Sequence, residues 1–202
     1  HDRCRYADLP QVQPFAGPAD VFISHCWGSK WGDLVCAAAA GARSDRRVWI
    51  DIFAVRQWPG NDADLDFRGV IARSNAVIVA VSRVDELTTF MATKPEHAAF
   101  LDSPQGLAAQ TCMAFSRLWC IVELAAAVDA DKPVVIKGGV AQRNDDGSYV
   151  YDTAKMNIML DNLTHMIDCE KSQCAVQADY DREMKAIQSM TGGVQNIDRV
   201  VV

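Results

Sequence analysis

Apolar residues along this chain gather into short runs separated by longer, more polar stretches. Residues 19–24, 47–51, 75–82 and 132–137 are rich in Val, Ile and aromatic residues with little polar alternation. That is the pattern of strands buried on both faces. The stretches 31–42, 63–73, 116–128, 153–165 and 178–190 read as helices, the last carrying Tyr180, Met184 and Ile187 on one side. Residues 167–174 read as a short, weak fifth strand, and 138–152 as a polar surface loop. Strand and helix alternating in this way predict an α/β fold, a doubly wound five-stranded parallel sheet with helices on both faces. In the common strand order 2-1-3-4-5, ligands bind beyond the carboxyl ends of the strands, where the order reverses. Ser24, His25 and Cys26 follow the first strand and Asp51 closes the second. The helix after the third strand is expected at the same edge.

That helix, residues 116–128, is apolar nearly all round, and between Arg117 and Asp129 its only charge is Glu123. Ser116 is placed to cap its start. A helix without a polar face is a buried helix, and burying a lone carboxylate is costly. Trp119 precedes Glu123 by four residues and so shares its face of the helix. An indole beside a desolvated carboxylate can grip a flat or cationic ring. An ion pair with an arginine, or an outlet to solvent at the helix edge, would account for Glu123 equally well.

At 202 residues the chain suits one domain. Residues 1–18, with Pro10, Pro14 and Pro18, form an irregular lead-in; 19–191 form the domain; 192–202 form a tail. Within the domain, residues 83–115 make a long insert, with helical character around 86–92 and 95–101. Inserts of this length are usually functional or disordered. The chain opens His1-Asp2-Arg3-Cys4 without an initiator Met, and so reads as a piece of a longer protein. A net charge of −6 argues against nucleic-acid or anionic-membrane partners, which require basic patches. No apolar run approaches the roughly 20 residues that span a bilayer. The seven cysteines are an odd number at irregular spacings, which supports neither a zinc site nor a disulfide framework. Cys36, Cys112 and Cys120 read as buried thiols. A reducing, cytoplasmic setting is expected, with no metal and no bound cofactor.

The loop after the first strand, Ser24-His25-Cys26-Trp27-Gly28-Ser29-Lys30, contains neither GxGxxG nor GxxxxGK[ST], which disfavours dinucleotide-fold dehydrogenases and P-loop enzymes. His25 beside Cys26 suggests a nucleophile and its base, but neighbours at a strand end point in opposite directions. Among the tryptophans, Trp31 and Trp49 read as core residues, and Trp58, next to Pro59 and Gly60, as exposed.

Taken in order, these pieces resemble a Toll/interleukin receptor (TIR) domain, in the divergent form of algae and other microbial eukaryotes. The resemblance runs through Asp20-Val21-Phe22-Ile23-Ser24, Val48-Trp49-Ile50-Asp51, the loop to Gly60, Val70-Ile71-Ala72-Arg73-Ser74 and the strand 77–82. It ends in Trp119-Cys120-Ile121-Val122-Glu123-Leu124, similar to the family's WCxxEL signature, and covers residues 19 to 137 well. It implies a flavodoxin-like fold, signalling through homotypic self-association and, in one branch of the family, cleavage of NAD+ or NADP+ as substrate. In that branch the glutamate matching Glu123 is catalytic and the tryptophan matching Trp119 lines the substrate pocket. Ser24, His25, Cys26, Trp27, Asp51 and Ser116 are the further substrate-binding candidates. The loop 52–62, with Phe53, Arg56 and Trp58, corresponds to the association loop. Active members carry an aromatic residue and then an arginine after the first strand, where this chain has His25 and Cys26. Lys30, Arg56 and Arg117 are the candidates to supply the missing cation. The alternatives in other classes are a non-catalytic TIR interaction module and a sensor that holds an NAD-type nucleotide without cleaving it.

Overall fold

Four of the apolar runs form one wholly parallel sheet in the computed structural model, which describes residues 4–58, 64–85, 103–161, 169–189 and Gly193. The strands β1 (Val21–His25), β2 (Val48–Trp49), β3 (Ala76–Val81) and β4 (Val134–Gly138) lie in the order β2-β1-β3-β4. Ile23 pairs with Ile78, and Val79 with Ile136. The order matches the first four places of the expected arrangement, and its reversal falls between β1 and β3.

Alternation along the strands divides the core into two layers. On one face, Val21, Ile23, Ile78 and Ala80 pack on Leu34 and Ala37 of α1 (Trp31–Ala39). On the other, Phe22 and Val77 meet Ile71 of α3 (Phe67–Arg73) and Ala126 and Ala127 of α5 (Leu118–Asp129). Val79 and Val81 meet Cys120 and Leu124 of α5 on that same face. The outer side of α5 is covered in turn by Met184 and Ile187 of α7 (Gln177–Ser189), which touch Leu118, Ile121, Val122 and Ala125. Sheet on one side and helix on the other explain why α5 carries no polar face. Between these elements lie α2 (Asp51–Ala54), α4 (Pro104–Gln110) and α6 (Met156–Leu160). None of the described helices is long and apolar enough to cross a membrane.

Several expectations are corrected. Residues 138–152 are not a loop: β5 (Val140–Arg143) and β6 (Tyr149–Asp152) form an antiparallel hairpin. The hairpin packs on α1, where a side chain at Gly32 would collide with the ring of Tyr149. The fifth strand is absent from the described residues; within 169–174 only Gln173 bridges, to Arg117, in parallel. Ser116 does not cap α5. It lies in a 3-10 turn, and Arg117 at the N-cap makes no side-chain cap. The start of α5 is held instead by backbone bonds, from Leu118 N to Gln173 O and from Gln173 N to Ser116 O. Trp31 is 49% exposed rather than core, whereas Trp49 stacks on Phe22 at 4.6 Å. Cys112 is only half-buried. The lead-in forms two 3-10 turns, Tyr6–Asp8 and Gln13–Phe15. The helical stretches expected around 86–92 and 95–101, the last four residues of the helix expected over 153–165, and nearly all of the tail lie outside the described residues.

Candidate functional site

β1 alternates, so Ser24 points toward α5 while its neighbour His25 points away from it. The Ser24 hydroxyl donates to Oε2 of Glu123 at 2.6 Å, both side chains being buried. Glu123 stands one turn into α5, where it is 8% exposed. Burial pushes its carboxyl up to about 8; the nearby charge of Asp51 adds to this, and the Ser24 hydroxyl partly offsets it. At neutral pH this group is therefore mostly protonated, and it gains an ionised form only where a cation or a rise in pH draws the proton off.

Glu123 lies at the wall of a cavity of about 280 Å³ between α3, α5 and α7. Trp119, Val122 and Ala126 supply the α5 side, Leu65 to Arg68 with Ile71 the α3 side, and Arg182 and Glu183 the α7 side. Phe67 meets the Trp119 ring edge-on, 5.6 Å between centroids and 80° between planes. The Arg182 guanidinium lies 5.5 Å from the Trp119 ring centre. It is held there by Asp179 at 2.7 Å and Glu183 at 2.9 Å. Two aromatic rings, the three carboxyls of Asp66, Glu123 and Glu183, and two arginines, one of them resting on the indole, thus share a space large enough for a ring and a sugar. A whole dinucleotide would extend beyond it.

A second cluster sits beside the first. Asp51, at the N-terminus of α2, accepts from His25 Nε2 at 2.8 Å, from Trp27 Nε1 at 2.5 Å and from the Ile52 amide at 2.7 Å. Burial pushes the Asp51 carboxyl up, but its contacts with His25, Trp27 and Ile52 outweigh that and hold it below the ordinary carboxylate range. Asp51 is the group through which this cluster acts on Glu123.

The sequence-predicted site residues therefore separate. Trp119 and Glu123 line the cavity, and Ser24 reaches Glu123 from β1. His25, Trp27 and Asp51 form the adjacent cluster and do not line the cavity. Cys26 donates its thiol to the Thr111 carbonyl at 2.8 Å, and burial pushes that thiol up. With His25 turned to Asp51, the pair has no nucleophile–base geometry. Ser116 is buried in its 3-10 turn, away from the cavity lining. Burial, and then the Glu123 charge, hold the Cys120 thiol well above its ordinary range.

In the expected association loop, Phe53 is a packing residue of α2, with Tyr6 at 5.1 Å and Trp31 at 5.7 Å. Arg56 is paired with Asp64 at 2.7 Å, and Trp58 is 40% exposed. Residues 59–62 lie outside the described residues. The cations that do line the cavity are Arg68 and Arg182, not Lys30, Arg56 or Arg117. Sequence reasoning missed Phe67, Arg68 and Arg182. The first two follow a loop of irregular pattern. Arg182 lies on a helix whose apolar positions announce that it docks, but not on what.

All seven cysteines are free. Among the described residues, no group of three or more His, Cys, Asp or Glu side chains is arranged to hold a metal ion. No family model, curated protein or solved structure matches the chain.

Proposed function

We propose that the chain is a TIR-like, flavodoxin-like NAD(P)+ glycohydrolase or cyclase, activated by self-association, in which Glu123 is the catalytic group. The observation that carries this reading is the pairing of a buried carboxyl, hydrogen-bonded by Ser24, with the Trp119 ring on one wall of one cavity. The ribosyl–nicotinamide bond breaks with its electron pair leaving on the ring nitrogen. This neutralises the pyridinium and moves positive charge onto the ribose. A fixed carboxylate next to that carbon stabilises the developing oxocarbenium. Nicotinamide departs neutral, so no general acid is required, in contrast to two-carboxylate glycosidases. Water then bonds to the anomeric carbon and loses a proton to give ADP-ribose, or an adenine nitrogen of the same substrate attacks and gives a cyclic product.

The high proton affinity of Glu123 fits this scheme. A pyridinium cation entering beside it favours the ionised form, so the stabilising charge emerges on substrate binding. Trp119 and Phe67 offer aromatic surface for the nicotinamide ring, which takes the indole face that Arg182 covers here. Arg182 and Arg68 supply the cationic groups for phosphate that the loop after β1 lacks. Chromatography of NAD+ and NADP+ incubated with wild type and Glu123→Ala tests the reading. Nicotinamide release by wild type, reduced by about 100-fold or more in the variant, is expected; equal turnover by both would overturn it.

Two other readings each rest on one observation. Exposure of Trp58 favours a non-catalytic module that associates through this residue. It predicts assembly that Trp58→Ala abolishes, with no nicotinamide released at any protein concentration. The protonated state of Glu123 favours a sensor, which would show calorimetric binding of NAD+ without turnover.

A further inference from the structure

The free edge of β2 borders a second cavity, of about 540 Å³, which shares no lining residue with the Glu123 cavity. The lead-in turns fold over this edge, anchored by Tyr6 on Phe53. The walls are aromatic: Trp49 and Phe53 from the domain, and Phe15, which is 79% exposed, from the lead-in. Three guanidiniums, Arg46, Arg47 and Arg73, also line it, and none of its lining residues is acidic. In a chain of net charge −6 this is a local excess of positive charge. Arg46 and Arg47 have no carboxylate partner among the described residues, and the closest for Arg73 is Asp66 at 4.0 Å. The Arg47 backbone is pinned, its amide donating to Asp20 and its carbonyl accepting from the Asp20 and Val21 amides, so its side chain projects from a fixed point.

Three guanidiniums around an aromatic cleft, two of them without a carboxylate partner among the described residues and the third only loosely paired, match an anion carried on a flat ring. Arginine forks suit phosphate oxygens, the rings suit stacking, and the volume falls within the range of small-molecule sites. We propose that this cleft is a second ligand site, taking an aromatic monophosphate of nucleoside size, with Arg46 and Arg73 holding the phosphate and Trp49 and Phe15 the ring. The site stands independently of any activity at Glu123.

Calorimetric titration with adenosine monophosphate tests it, with adenosine and inorganic phosphate as separate probes. Saturable binding of the monophosphate, about tenfold or more tighter than either probe alone and weakened by added salt, is expected. The double substitution Arg46→Gln/Arg73→Gln weakens it by about tenfold or more, Phe15→Ala also weakens it, and Glu123→Gln leaves it unchanged. Thermal unfolding of each variant establishes that it is folded, and Phe15→Ala tests the site separately through an exposed side chain. Absence of saturable binding at millimolar monophosphate, equal binding of adenosine, or binding lost in Glu123→Gln but kept in the arginine variant would overturn the proposal.

Discussion

Glu123 combines a high cost of ionisation with one hydrogen-bond donor among the described residues, Ser24, and both properties can be measured. Its folded proton affinity, about 8, lies above the ordinary 4.5 of a free carboxyl. The folded state therefore binds the extra proton more tightly than the unfolded one. The stabilisation is fully present below about pH 4.5 and is lost as pH rises through about 8. Glu123→Gln removes that dependence. The stability gap between variant and wild type should move in the variant's favour, by on the order of a few kcal/mol, between about pH 5 and 8.5, as read by thermal or urea unfolding at each pH. Under the proposed chemistry the same proton shapes activity. Turnover should rise with pH on one ionisation, and the limb in kcat should fall at lower pH than that in kcat/KM, because bound pyridinium favours the carboxylate. Ser24→Ala removes the donor that favours the ionised form, so both limbs should move to higher pH. A loss of about 1–3 kcal/mol in stability should accompany this.

Among the elements, α5 shows what was legible and what was not. Its apolar sequence announced a buried helix, and Glu123 stood out as its one charge. Its start is not legible in the sequence because the fixing bonds come from Gln173, a residue 55 or more positions away whose backbone partners leave no local trace. The hairpin β5–β6 was missed for a similar reason. Its residues are mostly exposed, its one apolar run is the short Tyr149-Val150-Tyr151, and it packs on α1. Asp33 ties these pieces together: its buried carboxylate accepts from the Ser82 hydroxyl at 2.5 Å and from the backbone amides of Ala141 at 2.8 Å and Arg83 at 3.2 Å. Asp33→Ala strands those donors and should cost about 2–4 kcal/mol in urea unfolding, more than any exposed carboxylate of the hairpin. At the other side of α5, Arg182 of α7 occupies the indole face that a cationic ring would take. Arg182→Ala should lower the Kd of a pyridinium such as N-methylnicotinamide by about threefold or more in a fluorescence titration, one cation–π contact being relieved of competition. Tighter binding by wild type than by the variant would show that Arg182 assists the ring instead.

Across the whole molecule, the parallel sheet followed from the apolar runs, because strands covered on both faces need continuous apolar sequence, and its order from the common doubly wound arrangement. The same topology brings Ser24 onto Glu123 where β1 and β3 part the strand order, but the candidate cavity lies between α3, α5 and α7 rather than beyond the carboxyl ends of the strands. The site's composition was less legible. Ser24 and His25, the last residues of β1, point to opposite faces and reach Glu123 and Asp51, while Cys26, just beyond the strand, turns to Thr111. The cavity itself is closed by Phe67, Arg68 and Arg182, which converge only through helix packing. In the proposed function this convergence performs bond cleavage, with Glu123 as the charge that stabilises it. The most direct test is the release of nicotinamide from NAD+ by wild type and Glu123→Gln, across protein concentration and between about pH 6 and 9. Release by wild type that grows with pH and with clustering of the protein is expected, with the variant at or near background. Undiminished release by Glu123→Gln, or none by wild type under any of these conditions, would contradict it.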